Sequence, residues 1–237
     1  IWGDARQWLK GDQFDGIMNY RVGWSSVCWA AGNKLRKSYK NPSYPLKELG
    51  GNDFIDILET TYGWYSREVN KSQLNLLDSH DVPRALNTLK GDISALKIAL
   101  TLLFLQPGAP CIFYGTEVGM SGGEEPSCRE CFPWGEPWDQ DLMTFLWSLA
   151  ALRQKLPELS HEVLNWTTIG KDGLYGSLPL QDDLASKTLN RIVIFINRSR
   201  SLSMTIEMPS SDYLFLLGEL DSRKNILAPQ SIVLYKH

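Results

Sequence analysis

The chain has 237 residues, with 24 Lys+Arg against 27 Asp+Glu for a formal net charge of −3, and 43% of its residues are hydrophobic. That length accommodates one or two domains with a sizeable core. The scattered, near-neutral charge excludes a basic footprint for nucleic acid or an anionic membrane, and no apolar run approaches the roughly 20 residues that cross a bilayer.

From residue 1 to about 157, strand-length apolar runs alternate with helix-length amphipathic stretches, the pattern of parallel α/β units. The run 14–20 (FDGIMNY) predicts a strand, and the spacing of Phe54, Ile57, Leu58, Thr61, Tyr62 and Tyr65 predicts a helix over 52–69. A second strand is expected at 74–77, leading into Asp78-Ser79-His80-Asp81. It is followed by a helix over 92–105 that opens with Asp92 at its N-cap and stops at Pro107-Gly108. A third strand is expected at 109–114 (APCIFY). The last helix of this region, over 139–155, places Leu142, Phe145, Leu146, Leu149 and Leu152 on one face and ends at Pro157. Beyond Pro157 the texture changes to short alternating segments at 189–197, 203–208, 213–217 and 231–235, with a turn signal at Lys171-Asp172-Gly173. Alternation at that length predicts antiparallel strands, so the expected domains are 1–157 (α/β) and 158–237 (a small β-sandwich).

In barrels of parallel strands the reacting groups come from loops at the C-terminal strand ends. Those ends here carry Asn19 and Tyr20, then Asp78, Ser79, His80, Asp81 and Arg84, then Glu117 with a glycine-rich loop. His80 and Asp81 directly after a buried strand are costly unless they contact a ligand or each other. A capped strand end with a hydrogen-bonded His is the alternative, and Pro83 could equally mark a helix start. Trp24, Trp29, Trp134 and Trp138 fall in expected loops and suit stacking on sugar rings, whereas Trp8 and Trp147 are expected in the core. Four Cys do not make a disulfide scaffold; Cys28 and Cys111 read as buried thiols and favour a reducing, cytoplasmic setting. Cys128-x2-Cys131 has the spacing of half a zinc site, but without a second Cys pair or nearby His no metal cofactor is expected. The chain opens at Ile1 with no Met and no leader pattern, and reads as cut from a longer protein.

Ser79-His80-Asp81 after an apolar strand resembles the N/S-H-D motif on the seventh strand of the α-amylase family of glycoside hydrolases. Residues 1–20, IWGDARQWLKGDQFDGIMNY, are similar to the fifth-helix and sixth-strand segment of the neopullulanase, cyclomaltodextrinase and maltogenic amylase group. GAPCIFYGTEVGMSGG resembles the eighth strand and its loop, EPSCRECFPW the D-P-x-x-R-x-x-x-P-W stretch that follows, and APQSIVLYK the end of the family's C-terminal β-sandwich. The resemblance implies strands six to eight of a (β/α)8 TIM barrel followed by an antiparallel β-sandwich. It further implies a retaining hydrolase of α-1,4-glucosidic bonds in cyclodextrins, pullulan or maltooligosaccharides.

Carried over residue by residue, Asp81 is the transition-state stabiliser, and His80 holds the same sugar. Arg129 and Glu125 hold the non-reducing end of the substrate, and Asn19, Tyr20 and Arg84 join them as substrate-binding residues. Glu125 stands where the family has Asp, and Asp78 where a small residue is usual. The nucleophile and general acid of a retaining enzyme, about 5–5.5 Å apart, belong in the family to strands four and five, before Ile1, as do the usual calcium ligands. These residues alone are therefore expected to be inactive, and either to pair with the missing N-terminal half of the barrel, to self-associate through open sheet edges, or to remain partly molten. The competing reading is a non-catalytic family member or partner subunit that keeps the fold without hydrolysis.

Overall fold

A computed structural model describes residues 3–41, 45–135, 137–180, 191–208 and 213–236, which fall into two compact units, 1–162 and 163–237. In the first, β1 (Met18–Asn19), β2 (Leu74–Leu76) and β3 (Ala109–Cys111) pair in parallel in that order. Met18 lies opposite Leu74, and Leu76 opposite Cys111. β1 is shorter than the run 14–20 predicts, with Phe14 exposed and Tyr20 already helical. The cause is Asn19, whose Oδ1 accepts the Val22 N–H at 3.3 Å and starts α1 (Tyr20–Ala31).

Every residue of α1 except Arg21 is buried. Its sequence, YRVGWSSVCWAA, sets a glycine, two serines and two β-branched valines among the apolar residues, all weak helix formers, so it reads as loop, and Trp24 and Trp29 lie in the core instead. Gly23 makes this possible: a Cβ there would stand 1.7 Å from the Leu76 carbonyl oxygen, so the helix backbone lies directly on the end of β2.

The single helix expected over 52–69 is two, α2 (Gly51–Gly63) and α3 (Arg67–Lys71), because Ser66 starts the second anew by accepting the Val69 N–H. α4 (Ala85–Thr88) and α5 (Ile93–Phe104) follow, the latter capped by Asp92 through the Ala95 N–H at 3.0 Å. α6 (Gln140–Lys155) buries the five expected apolar residues. Trp147 sits off that stripe and is 73% exposed, and Trp8 is exposed as well, so neither belongs to the core.

The Arg153 guanidinium on α6 donates to the carbonyls of Phe104, Gln106 and Gly108, satisfying the end of α5 and fixing the turn into β3. Residues 157–162 stay with this unit: the Ser160 carbonyl accepts the Gly108 N–H at 3.0 Å, and Glu162 pairs with Arg67.

In the second unit, β4 (Asn165–Ile169) and β5 (Gly173–Pro179) form a hairpin around the 171–173 turn signal. β6 (Arg191–Asn197), β7 (Met204–Thr205), β8 (Phe215–Leu217), β9 (Leu220–Asp221), β10 (Ile226–Leu227) and β11 (Ser231–Lys236) complete two antiparallel sheets, β4-β5-β6-β11-β8 and β7-β10-β9. Residues 189–190 of the expected 189–197 strand lie outside the described residues, and the segment 203–208 keeps only two paired residues. A cluster of Val193, Phe195, Met204, Ile206, Leu227, Val233 and Tyr235 draws on both sheets. No helix among the described residues is long and apolar enough to cross a membrane.

Candidate active site

Parallel pairing puts the C-terminal ends of β2 and β3 on one side, and the segments that leave them are laced together there. The Arg84 N–H donates to the Gly122 carbonyl at 3.0 Å, and Arg84 Nη1 donates to the Tyr114 carbonyl at 2.7 Å. The His80 carbonyl in turn accepts from Arg129 Nε at 2.9 Å and from Cys128 Sγ at 3.4 Å.

This lacing gathers four polar side chains. His80 Nε2 lies 3.1 Å from Asp81 Oδ1, Arg129 Nη2 lies 4.0 Å from the same oxygen, and Arg129 Nη1 lies 3.0 Å from Glu125 Oε1. The Asp81 side chain is 55% exposed, and its three neighbours are similarly open. Exposed ion pairs contribute only about 0–1 kcal/mol to stability, so stability does not account for the cluster; it is an accessible hydrogen-bonding surface.

Beneath it, buried groups fix the carboxylate. The Tyr20 hydroxyl donates to Asp81 Oδ2 at 3.4 Å and shares a 2.8 Å bond with Ser79 Oγ, which also accepts the Asp81 N–H at 3.1 Å. Burial raises the Tyr20 phenol above its ordinary range, opposed by the Ser79 bond and reinforced by the Asp81 charge, so it keeps its proton and remains a donor. The Tyr39 hydroxyl donates to the Asp81 carbonyl at 3.4 Å; nothing in the sequence marked that residue, because its contact crosses from an irregular segment.

Three residues expected to touch substrate stand elsewhere. Tyr20 is buried and reaches the surface only through Asp81. Asn19 is buried with its amide in use, Oδ1 capping α1 and Nδ2 donating to Asn75 Oδ1 at 3.2 Å. Arg84 is 0% exposed, its guanidinium 4.6 Å from the Phe113 ring centroid and 4.8 Å from that of Tyr114, so it has no face for a sugar. All three side chains are engaged within the fold.

Asp78 is likewise buried, accepting the Ala85 N–H at 2.8 Å and the Thr116 hydroxyl at 2.9 Å, so it ties α4 to the segment after β3. Burial raises its carboxyl above the ordinary range, although both hydrogen bonds and the Arg84 charge oppose this. A raised folded-state value means that the stability this group contributes is fully present at low pH and is lost as pH rises through that value. Asp78→Asn should therefore gain on the wild type as pH rises from the acid range towards neutrality. Paired calorimetric melts across that window check this, and a gap that widens against the variant contradicts it.

Among the described residues no group of three His, Cys, Asp or Glu side chains could hold a metal. All four cysteines are free. Cys28 and Cys128 are buried and Cys131 is exposed, and Cys111, expected to be buried, is half-buried.

Residues 2–162 match the family model described as alpha amylase, catalytic domain. The chain is 36% identical over 156 residues to a cyclomaltodextrinase of Geobacillus thermopakistaniensis (strain MAS1), a match covering 65% of this chain and 24% of that protein. It is 30% identical over 214 residues to neopullulanase 2 of Thermoactinomyces vulgaris, covering 89% of this chain and 33% of that protein. The native form of the Nostoc punctiforme debranching enzyme superposes with a TM-score of 0.83 at 27% identity, over 99% of this chain and 50% of that one. The chain thus spans between a quarter and a half of the length of these relatives. Its first unit carries the parallel strands and helices of the matched catalytic domain, its second the antiparallel sheets that follow, and the chain belongs to the α-amylase family of glycoside hydrolases.

Proposed function

We propose that the chain is the C-terminal portion of a retaining α-glucan hydrolase that cleaves α-1,4-glucosidic bonds in cyclodextrins, pullulan or maltooligosaccharides. The observation that carries this reading is the accessible His80–Asp81–Arg129–Glu125 cluster at the C-terminal strand ends, held from below by Tyr20 and Ser79. The names of the relatives, a cyclomaltodextrinase and a neopullulanase, support the substrate class. In this reading β1 to β3 are strands six to eight of a (β/α)8 barrel, residues 1–162 are part of its catalytic domain, and 163–237 are a C-terminal β-sandwich.

The chemistry follows from the placement. As the glycosidic bond breaks, positive charge grows on the sugar ring and makes the hydroxyls beside the reacting carbon better donors. The Asp81 carboxylate accepts those donors and so binds the distorted ring more tightly than the relaxed one. His80, beside Asp81, helps hold the same sugar. Arg129, with Glu125 fixing its guanidinium, holds the non-reducing end. The nucleophile and the general acid come from outside these 237 residues, from the N-terminal half of the barrel.

The test is hydrolysis of cyclodextrin, pullulan and starch by the full-length protein, with the anomer of the first product read by proton nuclear magnetic resonance. Cleavage with retained configuration is expected. Inversion, or no cleavage of any of the three, overturns the reading.

A further inference from the structure

We propose that Ser79 and Tyr39 are positioning residues that fix Asp81 for the reaction, an inference that deepens the α-glucan reading above and rests on it. Residues 79–82 form an irregular turn between β2 and α4, so strand pairing does not set the backbone that carries Asp81. Side chains set it instead.

Ser79 closes a ring of hydrogen bonds that begins and ends on Asp81. The Asp81 N–H donates to Ser79 Oγ at 3.1 Å, Ser79 Oγ lies 2.8 Å from the Tyr20 hydroxyl, and that hydroxyl reaches Asp81 Oδ2 at 3.4 Å. A carboxylate only accepts, so the Tyr20 hydrogen goes to Asp81 and the Ser79 hydrogen to Tyr20. Each hydroxyl then donates once and accepts once, and the three bonds run the same way round the ring, so that each polarises the next. Ser79 is 3% exposed and Tyr20 6%, which keeps water from competing for either hydroxyl. The ring ties the carboxylate to the backbone N–H of the same residue and so fixes the side-chain torsions of Asp81.

Tyr39 holds the other end of the residue. Its hydroxyl donates to the Asp81 carbonyl at 3.4 Å and accepts from Asn41 Nδ2 at 3.0 Å. The segment that brings it is anchored on α4, where the Arg36 N–H donates to the Thr88 carbonyl at 2.9 Å and Arg36 Nε to the Asn87 carbonyl at 3.0 Å. The N–H, the carbonyl and the carboxylate of Asp81 thus each have a side-chain partner. A carboxylate that must meet a developing charge gains from being held before the substrate arrives, because little reorganisation is then left for the transition state.

The test is steady-state kinetics of the full-length protein on maltoheptaose, in the wild type and in an Asp81→Asn background. Ser79→Ala should lower kcat about 5- to 30-fold and Tyr39→Phe, which removes one long bond, about 2- to 5-fold, each with KM changed less than about twofold. Neither should lower kcat further once Asp81 is Asn, because both act only through the carboxylate. An unchanged kcat, or a raised KM with kcat intact, overturns the role of the residue concerned. Losses of equal size in the two backgrounds, the mark of a general packing defect, overturn the positioning role for both. All these outcomes leave the α-glucan reading standing, whereas wild-type protein that does not cleave maltoheptaose overturns that reading itself.

Discussion

Asp81→Asn in the full-length protein should lower kcat by about 100- to 1,000-fold, the scale of removing one preorganised transition-state contact, with little change in KM. The substitution keeps the side chain's size and its place beside His80, Ser79 and Tyr20, so the loop should fold as before. What it removes is the negative charge and one acceptor facing the sugar. Both matter little while the substrate is neutral and relaxed, and much once the ring flattens and its hydroxyls become stronger donors. Steady-state kinetics on maltooligosaccharides separates the two possibilities. A raised KM with kcat intact would make Asp81 a ground-state binder and contradict its assigned role.

The 237 residues alone should show no α-glucan hydrolysis. A positioned general acid contributes about 10²- to 10⁴-fold, and a covalent nucleophile divides the remaining barrier into two smaller steps. Among the described residues the charged groups within 4.0 Å of Asp81 are His80 and Arg129; Glu125 is held by Arg129, and Asp78 is buried under two hydrogen bonds. In the proposed roles Asp81 binds the distorted sugar and supplies neither the general acid nor the nucleophile. The check is a sensitive reducing-sugar assay on the purified chain. Turnover that Asp81→Ala abolishes would mean that the roles are wrongly divided.

Much of this molecule is legible in its sequence, and the illegible parts have physical causes. α5 follows from Asp92 at its start and Pro107-Gly108 at its stop, and α6 from its apolar stripe and Pro157, because such signals are written into consecutive residues. α1 is harder to read, since Gly23, Ser25 and Ser26 and the β-branched Val22 and Val27 are weak helix formers and its Asn19 cap sits at the end of a strand run. β5 escapes for a different reason: GLYGSLP carries two glycines and little alternation, so only its hairpin with β4 and its pairing with β6 make it a strand.

At the site, the structure brings together His80, Asp81, Glu125 and Arg129, the residues that the motif and its spacing singled out. Which polar residues face solvent was not readable. Arg84 and Tyr20 look like ligand-binding groups by type, but stacking on Phe113 and Tyr114 takes the first inward, and Ser79 with Asp81 holds the second beneath the surface.

A crystal structure of the full-length protein with maltotriose bound tests the central claim most directly. The expected result is one glucosyl unit with its hydroxyls within hydrogen-bond distance of Asp81 and His80, and the non-reducing end against Arg129. An ordered oligosaccharide bound elsewhere, with His80, Asp81 and Arg129 untouched, would contradict it.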